Sequence, residues 1–560
     1  MQYSNEFEDL LVLAGTNRSI RSEYEKSVSQ SRFIYNDFLT NFDYELTENW
    51  KFNATVGVNT TETKTRFNSM GGSDLLIPGF YHISNISGIP DVDERTTTRR
   101  AWSLLSNIDL GYKDYLFFNL TGRYDNLSVL PKDSRSFFYP SAGISFVPTK
   151  AFPSIQSDVL HKLKFSGSHV IVGNASAISP HQLNETAYQP NGFPFNDINT
   201  FILSNETFDQ NLTPEFISSS EINASVELFK KGSLPRLTID ASASFIKTTD
   251  QILSISPSYT SGANTAFINV GDTQTKAFEI DLGFTPIATE NFKWSGSIGF
   301  STYKTVVNKV TDQSSEILTS FFQNAAGNQV GTIGLWAVEG EEFPLIRGTG
   351  YERDNEGRVI LDNNGNPIIS SELKTLGKVN PDYVINFNTQ FKYKNITLGA
   401  TLDYRTGHQF YSNTANSLNA IGGTIESAYN GRQPFIFPNS SIEVSPGVYA
   451  PNNSVLTGGN SAASFQSYVS DNYGYFDENF VLDATAVKLR ELYVSYDLPS
   501  KYLQDTFFQK ISLGVTGRNL YTWLPRANRG YNDPEIGTGL ENWGQTPPTR
   551  FYTFNVNFVF

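Results

Sequence analysis

The final ten residues, Phe551 to Phe560, constrain this chain most. Taken alternately, Tyr552, Phe554, Val556, Phe558 and Phe560 fall on one side of an extended backbone, and Thr553, Asn555 and Asn557 on the other. Successive side chains of a strand point to opposite faces, so the stretch reads as a strand with one apolar and one wet face. A soluble sandwich shows the same period but seldom ends on a strand with so many rings on one face and a carboxyl-terminal Phe. A strand with lipid on one side and a polar interior on the other needs that division along its whole length.

The pattern recurs. Phe38, Phe42, Tyr44 and Leu46 share a face; after Thr47, Glu48 and Asn49 come Trp50, Phe52, Ala54, Val56 and Val58, with Asn41, Asp43, Glu45, Lys51, Asn53 and Thr55 opposite. Further hairpins are expected from Trp102 to Tyr112 with Leu116 to Tyr124, Ile222 to Leu228 with Leu237 to Phe245, and Phe278 to Phe284 with Phe292 to Phe300. Tyr383 to Tyr393 with Ile396 to Tyr404, and Leu492 to Leu498 with Ile511 to Val515, complete the set. Short turns (47–49, 113–114, 231–234, 285–291, 394–395) alternate with long polar segments (62–99, 173–217, 306–380, 406–484, 524–549). A sandwich has no reason to obey that parity. Outer-membrane barrels do, with short periplasmic turns, long extracellular loops and tilted strands of about ten residues. Tyr and Trp gather near strand ends, where interfacial girdles lie.

The expected fold is therefore all-β, a transmembrane antiparallel up-and-down β-barrel, with residues 1–35 a partial strand and extracellular loop and 36–560 the barrel. About fifteen strands are expected from Asn36 onward, whereas single-chain bacterial barrels have an even number. An open sheet in lipid would expose unpaired backbone groups at several kcal/mol each, so upstream strands are expected from elsewhere. Aromatic residues make up 14% of the 560, and helix formers are sparse. No run of about eighteen apolar residues marks a helical span. Met1 to Val12 is acidic, without a basic start or apolar core, and is not expected to act as a signal peptide. A net charge of -14 argues against nucleic acid as partner, and without Cys there is no thiolate nucleophile or cysteine metal site.

Several segments carry a family likeness: Thr121–Asp125 (TGRYD), Leu130–Ser141 (LPKDSRSFFYPS), Leu163–Asn174 (LKFSGSHVIVGN), Lys247–Leu253 (KTTDQIL) and Ile268–Gly271 (INVG). Val487–Pro499 (VKLRELYVSYDLP), Gly517–Trp523 (GRNLYTW), Gly530–Glu535 (GYNDPE) and Pro547–Phe554 (PPTRFYTF) follow in order. Together they resemble the SusC/RagA-type TonB-dependent transporters, outer-membrane importers of Bacteroidota. One run departs: the family's Asn-Lys-Gly-Val-Glu reads Thr275, Lys276, Ala277, Phe278, Glu279 here. The resemblance implies a barrel of 22 strands around a plug, of which this chain would be the carboxyl-terminal part. It also implies a carboxyl-terminal strand read by the assembly machinery, a SusD-like surface lipoprotein as lid, and coupling to TonB-ExbB-ExbD through a plug region not in this chain. The implied work is import of an oligosaccharide or peptide, with the barrel as wall and docking surface. The alternative is a self-contained passive porin or structural barrel.

No bond chemistry is expected. His82, His161, His169, His181 and His408 lack ligand spacing. Asp362, Asn364 and Asn366 imitate a calcium loop, but Pro367 stands where glycine is needed; with Asp354, Asn355 and Gly357 they read as hairpin turns. Gly348-Thr349-Gly350 and Gly537-Thr538-Gly539 lack the third glycine and the following helix of a dinucleotide site. No catalytic, cofactor or metal residues are assigned, which also disfavours an outer-membrane hydrolase. Arg123 and Asp125 flank Tyr124 and should form an ion pair on the lumen wall. Trp336, Phe410, Tyr411, Tyr429, Tyr468, Tyr473, Tyr475 and Trp543 are loop aromatics that could pack among themselves, hold a lipoprotein or stack on substrate.

Overall fold

The structure, a computed structural model, describes residues 2–8, 23–77, 79–184, 186–189, 196, 198–230, 235–255, 262–263, 265–311, 314–323, 329–433, 435–455, 469, 472–504, 506–535, 539–541 and 548–560. Sixteen strands form its main sheet, each hydrogen-bonded to the next in chain order. They are β1 (Gln2–Glu8), β2 (Glu23–Thr47), β3 (Trp50–Ser73), β4 (Asp91–Tyr112), β5 (Leu116–Leu127), β6 (Ser136–Phe146), β7 (Leu160–Asn174) and β8 (Glu215–Leu228). Then come β9 (Leu237–Thr249), β10 (Asp272–Ala288), β11 (Phe292–Lys309), β12 (Tyr383–Tyr393), β13 (Ile396–Thr406), β14 (Ala486–Asp497), β15 (Lys510–Trp523) and β16 (Phe551–Val559). Two compact units divide the chain: residues 1–146, 167–220 and 248–270 form one, and 147–166, 221–247 and 271–560 the other.

In the first unit the register sorts side chains by face. One outward row reads Phe42, Ala54, Ile108, Leu120 and Ala142, and the next towards the loops but one reads Phe38, Val58, Leu104, Tyr124 and Phe138. The inward row of Asp43, Asn53, Asp109 and Asn119 is wholly polar. In the second unit Trp294, Phe391, Leu398, Val494, Val515 and Phe554 make one outward row across β11 to β16. Most outward rings are substantially exposed, which is the expected state of a surface whose solvent is hydrocarbon.

Three strands run far beyond the expected ten residues. β2, β3 and β4 have 25, 24 and 22 residues, roughly 70–80 Å at ~3.3 Å per residue, against a hydrocarbon core of about 30 Å. The polar segment expected at 62–99 is therefore mostly strand, with the connection confined to residues 74–90. Beyond lipid neither face needs to be apolar, so the alternation fades while the hydrogen-bond ladder continues. At the opposite end the turns are tight: Lys113 and Asp114 hold positive φ, and Trp50, Tyr112 and Tyr115 form a chain of ring contacts at 4.8 and 5.4 Å. The turn expected at 231–234 lies outside the described residues.

The register also fixes the depth of Val556, an outward residue of the last strand. It pairs with Leu513, level with Tyr496, Ile396 and the turn at 394–395, one side-chain repeat from the strand end. Leu120, midway between the Trp50 row and the Trp102 row, is the midplane residue. Leu120→Arg is expected to destabilise the inserted barrel by about 2–4 kcal/mol, Val556→Arg by about 0–1 kcal/mol, and the inward Asn555→Arg least. Urea titration of heat-modifiable migration in lipid vesicles measures all three; equal losses at Leu120 and Asn555 would contradict the facing.

Candidate functional site

The inner wall of the first unit carries two clusters of side-chain hydrogen bonds. Arg123 Nε donates to Asp125 Oδ1 at 2.7 Å and its Nη2 to Ser103 Oγ at 3.0 Å, while the Tyr139 hydroxyl donates to Asp125 Oδ2. Asn119 Nδ2 donates to both Asn107 Oδ1 and Asp109 Oδ1, at 2.8 and 2.7 Å. Arg123 and Asp125 do lie together on the inward face, tied into the wall.

The second unit builds something the alternation does not show. Loops between β11 and β12, β13 and β14, and β15 and β16 fold onto one another around a shared core of Ile333, Leu335, Ile346, Tyr411, Phe480 and Leu540. The first loop contributes a four-stranded sheet, Glu316–Gln323, Gln329–Val338, Leu345–Gly348 and Lys374–Lys378. The second pairs Gln409–Tyr411 with Val481–Asp483 and adds a helix, Asn413–Ala420. The third enters through Leu540, which bridges to Tyr411.

Buried polar groups lock these loops together. Glu541, only 2% exposed, accepts from Ser412 Oγ at 2.9 Å, Thr414 N–H at 3.1 Å and the Thr414 hydroxyl. It thus joins the helix N-cap, Ser412, in satisfying the first-turn donors. Asp477 accepts from Thr349 N–H at 2.9 Å and Thr332 Oγ1 at 3.2 Å. Glu478 accepts from Tyr351 N–H at 3.1 Å and Arg353 Nη2 at 2.6 Å.

The strongest lock joins the third loop to the sheet. Lys488 Nζ lies 2.5 Å from Asp533 Oδ1 and 2.7 Å from Glu535 Oε2; Arg405 is 3.0 Å from Glu535 and 3.1 Å from Asp403. Arg490 donates to Asp403 Oδ1 at 2.9 Å and to Glu535 Oε2 at 2.7 Å. Both neighbouring ladders shift register at Arg490, a bulge that re-aims its side chain. Three cations and three carboxylates thus close on one another. Burial opposes ionisation of Glu535, but hydrogen bonds from Arg490 and Lys488 outweigh it and push the carboxyl down to about 2.

Asp477 behaves oppositely: burial raises its carboxyl above the usual range, only partly offset by the Thr349 and Thr332 hydrogen bonds. Its ionisation therefore opposes folding, fully above the raised native pKa and vanishing as pH falls below the ordinary 3.8. Amide exchange at Thr349 is expected to slow on acidification, after correction for intrinsic rates. Asp477→Asn should abolish that pH dependence; an unchanged dependence in the variant would exclude Asp477 as its source.

The structure sorts the loop aromatics. Phe410 and Tyr411 are buried, Tyr473 packs on the core, and Arg347 lies over the Trp336 ring at 5.2 Å. Tyr429 and Tyr475 remain open, 50% and 63% exposed; Tyr468 and Trp543 lie outside the described residues. Asp362 accepts from Asn364 and Asn366 N–H, and Asp354 from Glu356 and Arg358 N–H, the bonding of turns. Among the described residues no three His, Asp or Glu side chains are arranged so that they could hold a metal ion.

Residues 2–337 match the family model described as TonB dependent receptor-like, beta-barrel. The chain belongs to the TonB-dependent receptor-like β-barrel family. It is an outer-membrane protein, and it is similar to transporters of the SusC/RagA type. TonB-dependent receptor P3 of Formosa agariphila is 25% identical over 484 residues, 82% of this chain and 45% of the relative. TonB-dependent receptor SusC of Bacteroides thetaiotaomicron is 24% identical over 461 residues, 78% of this chain and 41% of SusC. Among solved structures, the RagAB peptide importer in its open-open state superposes with TM-score 0.74 at 15% identity, over 100% of this chain and 58% of that one. The chain thus spans about half the length of these relatives. Within a TonB-dependent barrel, VKLREL and GYNDPE gain a physical meaning: they supply Lys488, Arg490, Asp533 and Glu535 of the charge lock. Glu541 and Asp477 left no sequence signal, because their partners lie more than a hundred residues away.

Proposed function

We propose that this chain is the barrel wall and lid-docking surface of an importer that takes up oligosaccharides or peptides across the outer membrane, with its loops outside the cell. The shared loop core carries the reading. A passive pore needs only a wall, whereas three long loops folded around one shared core present a defined surface to a partner. The partner is a SusD-like lipoprotein, as the type of SusC and the RagAB importer suggests. TonB-ExbB-ExbD would act through a plug supplied by sequence outside residues 1–560 or by another chain. The barrel performs no bond chemistry.

The test is affinity purification from outer membranes in mild detergent, with intact-mass analysis of every copurifying chain, followed by planar-bilayer recording. A stoichiometric surface lipoprotein and no steady conductance are expected. A lone chain giving a steady open conductance would establish the passive pore instead. Because the sequence has no Cys, Ser87→Cys in the 74–90 connection tests orientation separately: an impermeant maleimide should label it on whole cells.

A further inference from the structure

The outward face of β2 to β4 changes character just past the Trp102 row. Below that row it is the apolar band already described. Above it, three successive cross-strand rows read Ile34, Glu62 and Arg100; Arg32, Lys64 and Thr98; and Gln30, Arg66 and Thr96. Four cations therefore face outward against one carboxylate, on a chain whose net charge is -14. Trp50 and Thr60, the partner of Trp102, are ten positions apart on β3, about 33 Å of strand at ~3.3 Å per residue. With the usual tilt this matches an apolar band about 25 Å tall. The basic rows begin one side-chain repeat beyond it, at the depth of lipid headgroups.

The geometry there is ordered. Glu62 accepts from Arg32 Nη2 and Arg100 Nε, both at 2.8 Å, so one carboxylate holds two guanidiniums side by side. Each guanidinium has five N–H donors, both side chains are more than half exposed, and the remaining donors face outward. Beside them lies a cavity of about 500 Å³ lined by Asn36, Trp102 and Asn126 of the row below and by Ile34, Glu62 and Arg100 of the first basic row, with Arg135. A neighbouring cavity of about 600 Å³ shares Arg100 and adds Lys132 and His181. The apolar band of the sheet below and the cations above it are the complement of an amphiphile with a phosphorylated head, and paired guanidiniums match phosphate oxygens.

We propose that this face binds the phosphorylated headgroup of an outer-leaflet glycolipid, with Arg32 and Arg100 as the phosphate contacts. The position at headgroup depth favours lipid over a soluble anion or an acidic protein. The proposal rests on the orientation given above, which Ser87→Cys labelling decides independently, and not on what is transported.

The test uses the protein purified from outer membranes, stripped in neutral detergent, and titrated with purified phosphorylated lipid A while bound lipid is counted by native mass spectrometry. Binding is expected to weaken about fivefold for Arg32→Gln or Arg100→Gln and about 30-fold for both. Lys113→Gln, on the tight-turn side, should leave it unchanged. Dephosphorylated lipid A should bind the parent no better than phosphorylated lipid binds the double variant, and inorganic phosphate should not compete. Heat-modifiable migration confirms that each variant is folded. Equal lipid binding by parent and double variant would overturn the proposal. Competition by submillimolar phosphate would make the face a free-anion site. Unchanged lipid binding with loss of a copurifying protein would make it a protein-docking patch. Either of the last two also overturns it.

Discussion

Lys488→Met is expected to loosen the loop after β15 by about 3 kcal/mol, near the lower end of the 3–5 kcal/mol for breaking a buried ion pair. The Lys488 side chain is only 5% exposed and touches both Asp533 and Glu535. Methionine keeps the aliphatic stem but leaves Asp533, itself largely buried, facing an apolar group. Arg405 and Arg490 still hold Glu535, which sets the lower figure. Amide exchange across residues 526–535 should accelerate about a hundredfold, while heat-modifiable migration of the barrel stays unchanged. The pH profile provides a second readout. A depressed carboxyl contributes stability that is fully present above its ordinary pKa of 4.5 and is lost as pH falls towards about 2. Without Lys488, Glu535 should protonate at higher pH, so loop release on acidification should move up towards 4.5. Exchange indistinguishable from the parent at neutral pH would mean that the lock does not hold the loop.

How much of this was legible in the sequence follows from the range of each interaction. Strand facing is a local property with a two-residue period, so the rows through Phe42, Ala54, Ile108 and Leu120 could be assembled from alternation and turn positions alone. Depth along the strand is not local. Val556 looks like any other outward residue until its partners, Leu513 and Tyr496, place it beside the 394–395 turn. Strand length is equally hidden where both faces are polar, as in Thr60–Ser73. The loops fail for another reason. Asp477 meets Thr349 across more than a hundred residues, and Lys488 meets Asp533 across 45. Such contacts obey no period. Motif resemblance marked the VKLREL and GYNDPE segments without showing that they close on each other.

Phe476→Ala should cost about 3–5 kcal/mol, the usual loss for emptying a buried phenylalanine site. The ring is 1% exposed and stacks on Tyr351 with centroids 4.1 Å apart and planes 20° apart, in a cluster completed by Val359 and Leu361. Its position magnifies the effect. The next three residues are the polar clamps between loops: Asp477 on Thr349, Glu478 on Tyr351 and Arg353, and Asn479 on the Tyr351 hydroxyl at 3.0 Å. Those bonds need the backbone held where the ring holds it. The residue immediately before is Tyr475, more exposed than Tyr429 and adjacent to the clamps, which places it to meet a partner. Phe476→Ala should therefore free Tyr475 and the clamps together, seen as rapid exchange at Tyr351 and Thr349 and as loss of copurifying lipoprotein. Phe476→Leu, which restores most of the volume, should recover most of both. Tyr475→Ala separates the two consequences: it should diminish lipoprotein recovery while leaving exchange at Tyr351 and Thr349 at the parent rate. If Tyr475→Ala accelerated that exchange as much as Phe476→Ala, Tyr475 would belong to the loop core, and the docking surface would have to lie elsewhere on the cap.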